Sequence, residues 1–225
     1  MKQNLQKQDW WVMWGLLFLG LVPVLAGLYR LATLSIAPQL ASASDQRFFD
    51  HPLPIFLHAG FGTLFLVMGA FQFSRSFRRR WPGQHRVLGP WLALSGFVSA
   101  VSGLWMSVYY PLPDTDGWLL AVFRWIFGGL MTLSVVLGVV AILQKKIDRH
   151  RAWMTRAYAI GIGAGTQFFT HLPWLLIWGM PSETPRAWLM AAGWVINLAV
   201  AEWWLVHQRT SKARPVTLQS SLIKG

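Results

Sequence analysis

The chain contains no cysteine. Disulfides, thiolate catalysis and cysteine-ligated metal or iron–sulfur centres are excluded with it. Charge is also scarce: Asp, Glu, Lys and Arg make up 12% of the 225 residues, about half the share of a soluble domain. Acidic residues are the rarer kind, 8 against 20 basic, and none lies deep in an apolar run. A bare zinc site would therefore lack ligands inside a membrane, and cation-coupled transport would lack its usual acid. The sequence has no phosphate-binding glycine loop, nucleophile elbow or paired carboxylates within a span, so soluble-enzyme chemistry has no foothold.

Apolar residues are abundant. They form 54% of the chain, and 15 residues are Trp, the side chain that anchors helix ends at membrane interfaces. Several apolar runs are about 20 residues long, enough to cross a bilayer as a helix. The pattern predicts an all-α integral membrane protein of six transmembrane helices, spanning about 10–34, 54–73, 84–109, 118–143, 150–178 and 187–207. Pro23 is expected to kink the first. The run Trp10 to Tyr29 is too long for a signal core and is read as a retained first helix. The short loops leave no room for an appended soluble domain, so residues 1–225 read as one polytopic domain with its core at 53–178.

Net charge is +12, and its placement is topological. Sixteen of the 20 basic residues fall on one side of the predicted spans, and only Arg30, Arg47, Arg124 and Arg186 on the other. The positive-inside bias puts the first group, with both termini, in the cytoplasm of an inner-membrane protein. This accounts for the charge without nucleic acid; the lipid bilayer is the expected partner.

A weak repeat is visible. A basic loop leads into His85-Arg86 at the start of helix three, and another into His150-Arg151 at the start of helix five. Two copies of a helix–loop–His-Arg–helix unit would make a four-helix core from helices two to five, flanked by helices one and six. Of the six histidines, His51 and His207 are expected to face water. The other four make two pairs by depth: His58 with His171 near the outer boundary, His85 with His150 at the inner one. Polar residues within spans usually face a bundle interior or cavity. Two imidazoles from facing helices suffice as axial ligands of haem iron.

Glycines support close approach. Gly89, Gly96 and Gly103 repeat every seven residues in helix three, and Gly161, Gly163 and Gly165 thin helix five; ordinary helix packing uses small residues in the same way. Arg124 and Arg156 lie about two turns inside their spans. Each needs an anionic partner or must snorkel. Propionates, lipid phosphate or, for Arg124, Asp114 or Asp116 could serve.

The segments His58-Ala59-Gly60-Phe61-Gly62-Thr63, Gly69-Ala70-Phe71-Gln72-Phe73, His85-Arg86-Val87-Leu88-Gly89 and His150-Arg151-Ala152-Trp153-Met154-Thr155-Arg156 carry a resemblance. The chain resembles, over about 53–178, a bacterial family of predicted membrane proteins with a domain of unknown function. The resemblance implies topology and no activity. A looser likeness is to the transmembrane cytochromes b, from which the chain departs in having no His on helix four and two on helix five.

The leading expectation is a haem b electron-transfer protein. His58, His171, His85 and His150 would be iron ligands, and Arg124, Arg86, Arg151 and Arg156 would neutralise propionates, with a membrane redox partner. The alternatives are an accessory or assembly factor of a respiratory complex, and a small-molecule transporter with a polar cavity at Gln72, Thr166, Gln167, Thr170 and Asn197.

Overall fold

The computed structural model describes residues 2–42, 45–113 and 115–213. Nearly all of this is helix, and no strand occurs among the described residues. Helices α1 (Lys2–Ser35), α3 (Pro52–Phe73), α5 (Pro82–Tyr109), α6 (Trp118–Leu143) and α9 (Glu183–Ala213) each contain a stretch long and apolar enough to cross a membrane. Two short helices, α2 (Gln46–Asp50) and α4 (Arg75–Arg80), lie in segments expected as loops. Pro52 and Pro82 open α3 and α5, where a missing N–H costs nothing. Ser74 caps α4 by accepting from the Phe77 N–H at 3.1 Å.

The fifth predicted span is not one helix. It is α7 (Ile147–Gly161) followed by α8 (Gly163–Trp178), with a break at Ile162. Tight approach on three sides fixes the break. A Cβ at Gly161 would meet the Phe65 ring at 3.0 Å, and one at Gly163 the Trp194 ring at 2.5 Å. One at Gly165 would run into the Leu19 carbonyl of α1. Two glycines around Ile162 lower the cost of leaving helical geometry.

The break redirects the chain. α7 packs on α6, α9, α3 and α5, whereas α8 packs on α9 and α1. At the level of α7, four helices share one core, built from Phe65, Leu92, Phe127, Met131, Val135, Tyr158 and Ile160 among others. Tyr158 also ties α7 to α3 through its hydroxyl, which donates to the Leu66 carbonyl at 2.8 Å. At the level of α8, the neighbours are α9 and α1.

The two basic segments are closed in the same way. His150 Nδ1 donates to the Gly138 carbonyl, 12 residues back, at 2.9 Å. His85 Nδ1 bonds Gln72 Oε1, 13 residues back. His85 thus ties α5 to the end of α3, and His150 ties α7 to the last turns of α6. Asp114, Arg214 and Lys224 lie outside the described residues.

Candidate functional site

Where α8 leaves the four-helix core, a cavity of about 550 Å³ opens between α1, α3, α5, α6 and the α7–α8 junction. Its apolar end is formed by Phe65, Met131, Ile160 and Trp194, and its polar end by Arg30, Arg47, Asp116 and Arg124. From Tyr110 back to Ser99, both lining residues, the α5 wall rises about 16 Å at 1.5 Å per residue.

His58 lines this cavity from α3. Its Nδ1 lies 2.8 Å from the Ser99 carbonyl on α5. A carbonyl only accepts, so Nδ1 carries the proton and Nε2 keeps its lone pair. Ser99 Oγ returns a bond to the His58 carbonyl at 3.2 Å. The ring fits because Gly103 faces it: a Cβ there would stand 3.0 Å from His58 Nδ1.

The polar end is a charge network. Asp116 is almost fully buried and divides its oxygens, Oδ2 to Arg124 and Oδ1 to Arg186, each at 2.7 Å. Arg30 pairs with Asp45. Arg47 donates from Nη1 to the Pro111 carbonyl at 2.8 Å and lies over the Phe48 ring, 4.7 Å from its centroid. Burial pushes the Asp116 carboxyl up, but Arg124 and Arg186 outweigh it and hold the group below its usual value. Asp45 is treated alike: burial raises it, and the Ser42 N–H with Arg30 carries it below normal.

Of the eight residues predicted for a cofactor, His58 and Arg124 line the cavity. The others belong to different places. His171 sits on α8 with Nδ1 bonded to the Gln167 carbonyl at 2.7 Å and Nε2 buried with no hydrogen-bond partner among the described residues. His85 and His150 form the ties described above. Arg86 lies in the first turns of α5, beside the His85 tie. Arg151 reaches Gln208 at 3.3 Å and Asp148 at 3.8 Å. Arg156 does not snorkel: it makes a two-pronged pair with Glu202 of α9, at 2.5 and 2.9 Å, and covers the Trp153 ring. Arg124 takes Asp116, one of the two carboxylates among the partners foreseen for it. Of the polar residues considered for a transport cavity, Gln167 is the one that lines this one.

Sequence reasoning missed Arg30 and Arg47. The signal available was that they, with Arg124 and Arg186, are the four basic residues on the side opposite the other sixteen.

The family's sequence profile, described as a predicted membrane protein of domain DUF2306, matches residues 55–205. The chain belongs to this DUF2306 family. The match covers α3 from Ile55 through most of α9, and so includes the His58–Ser99 link, the break at Ile162 and both ends of the Arg156–Glu202 pair. Arg30 and Arg47 lie ahead of the matched region. No match was found among curated proteins or among solved structures.

Proposed function

We propose that this membrane protein binds an amphipathic small molecule in the cavity, with its apolar body against Phe65, Met131 and Trp194 and its polar end among the arginines. The cavity carries the proposal: about 550 Å³, apolar walls, and a few convergent polar groups at one end, the usual make-up of a small-molecule site. Counting α7 and α8 as one broken crossing gives six spans. With the sixteen basic residues in the cytoplasm, the arginine end then faces the outer side of the inner membrane.

His58 favours a particular ligand within this reading, haem b. A ligating imidazole normally donates its other N–H to a carbonyl or carboxylate, which fixes the tautomer and ring orientation. His58 has that arrangement, with Ser99 as acceptor at 2.8 Å. His58 would be the one protein ligand to the iron, and Arg30, Arg47 and Arg124 would hold the propionates. Haem supplies one-electron chemistry when bound. The chain's own part is to orient one imidazole, to exclude water with the α3–α5–α6 wall, and to hold cationic groups at the propionate end. A bis-histidine site with His171 is not part of the proposal, because His171 does not line the cavity.

Titration of purified protein with hemin tests this reading. A saturable Soret band that shifts on dithionite reduction is expected, and His58→Ala should remove it. A colourless protein that takes up no hemin contradicts haem binding, and a band indifferent to His58→Ala contradicts His58 as the iron ligand. The broader cavity proposal then rests on binding of metal-free amphiphiles.

A further inference from the structure

Four arginines converge at the polar end of the cavity, and the two carboxylates described there serve three of them. Asp45 takes Arg30, and the two oxygens of Asp116 take Arg124 and Arg186. Arg47 is left. Its Nη1 is used by the Pro111 carbonyl, and its flat face by Phe48. Its Nε is buried with no hydrogen-bond partner. Nη2 has none among the described residues either. Nε and Nη2 form one edge of the guanidinium, and that edge matches the two oxygens of a carboxylate. A buried donor left unmade is costly, so an orphan of this kind, in the wall of an apolar cavity, points to the group that completes it.

We propose that Arg47 is the anchor for a carboxylate carried on an apolar body, so that the cavity's ligand is an amphipathic acid. This rests on the reading of the cavity as a ligand site. The carboxylate takes the Nε–Nη2 edge of Arg47. The apolar part runs past His58 toward Met131 and Trp194, along the roughly 16 Å wall of α5. Arg30 and Arg124 add positive potential at the same end while keeping their own carboxylates. A long-chain fatty acid and the propionate of a haem share this chemistry.

The test is fluorescence titration of the full chain in nonionic detergent with a polyene fatty acid and with its methyl ester. The acid should bind about tenfold to a hundredfold more tightly, the size of a charge-assisted bond. Arg47→Gln should erase the difference while leaving ester binding intact, which also shows that the variant folds. Arg47→Lys should restore part of it, since a lysine keeps the charge but not the paired edge. Hemin that displaces the acid from wild type assigns the carboxylate to haem, and a fatty acid not displaced by hemin assigns it to a lipid; both keep Arg47 as anchor. Equal affinity for acid and ester in wild type overturns the Arg47 proposal and leaves the cavity reading standing. Binding of neither overturns both. Acid binding that strengthens severalfold in Asp114→Asn would mean that Asp114 competes for the edge, and would also overturn it.

Discussion

His58 and Ser99 are joined twice across α3 and α5. The imidazole Nδ1 donates to the serine carbonyl at 2.8 Å, and the serine hydroxyl donates to the histidine carbonyl at 3.2 Å. The second bond stiffens the backbone that supports the first. The ring is thereby held in one tautomer, with Nδ1 engaged by Ser99 and the lone pair on Nε2.

Gly103 is the floor under that ring. A Cβ at this position would stand 3.0 Å from both Cε1 and Nδ1 of His58, closer than the ring tolerates without turning. Gly103→Ala should cost about 1–2 kcal/mol of stability, typical of overpacking, and should weaken hemin binding by more than Gly60→Ala. Gly60 has nothing within 4 Å of its would-be Cβ and serves as the control. Thermal unfolding and hemin titration of the two variants check this.

Asp116 should govern the acid stability of the polar end. Its carboxyl is held below the ordinary value, as is that of Asp45. A carboxyl depressed in the folded state contributes stability that is fully present above its unfolded value, near 3.9, and is lost as pH falls through the lower folded value. Unfolding temperature should therefore be flat above about pH 5 and fall below about pH 4. Asp116→Asn should destabilise the protein at neutral pH by about 2–3 kcal/mol, leaving Arg124 and Arg186 unpaired, and should shallow the acid limb. Unfolding in detergent between pH 3 and 7 reads both effects.

Arg156 and Glu202 offer a double-mutant cycle. Removing one partner of a semi-buried pair leaves an uncompensated charge, and Glu202 is 47% exposed, so the cost lies at or below the low end of the ~3–5 kcal/mol seen for buried pairs. Arg156→Met should cost about 2 kcal/mol. Arg156→Met with Glu202→Met should cost less than Arg156→Met alone. Additive losses in the cycle would show that the pair does not couple α7 to α9.

Gly165 should tolerate no side chain. Its would-be Cβ falls on the Leu19 carbonyl, a backbone group of α1 that cannot rotate away. Gly165→Ala should lower stability by about 4 kcal/mol or more, or prevent accumulation of folded protein. Folded yield on size exclusion, compared with Gly60→Ala, decides it.

The long apolar helices were legible in the sequence because a bilayer demands long uninterrupted apolar runs, and Trp118–Leu143 begins and ends where hydropathy places it. The break at Ile162 was not. Gly161, Gly163 and Gly165 read as packing residues, and what turns them into a break is Trp194 and the Leu19 carbonyl, on two other helices. The partner of Arg156 was not legible for a related reason: Glu202 lies 46 residues away, on another helix. The pairing of histidines by depth overlooked direction. His58 and His171 share a level only as positions on straight helices, and the swing of α8 toward α1 and α9 separates their surroundings. Arg47 stands in α2, a helix of five residues, too short for an apolar period to announce which way a side chain points.

The chain lacks cysteine, so introduced thiols report without background. Thr63→Cys places one in the cavity wall, and Ser134→Cys places one at a fully buried position elsewhere in α6. Labelling rates with an anionic and a cationic methanethiosulfonate of similar size test the cavity most directly. Thr63→Cys should react, the anionic reagent should be several times faster because it passes Arg30, Arg47 and Arg124, and Ser134→Cys should stay silent. A Thr63→Cys thiol as inert as Ser134→Cys, or one that prefers the cationic reagent, would contradict the cavity proposal.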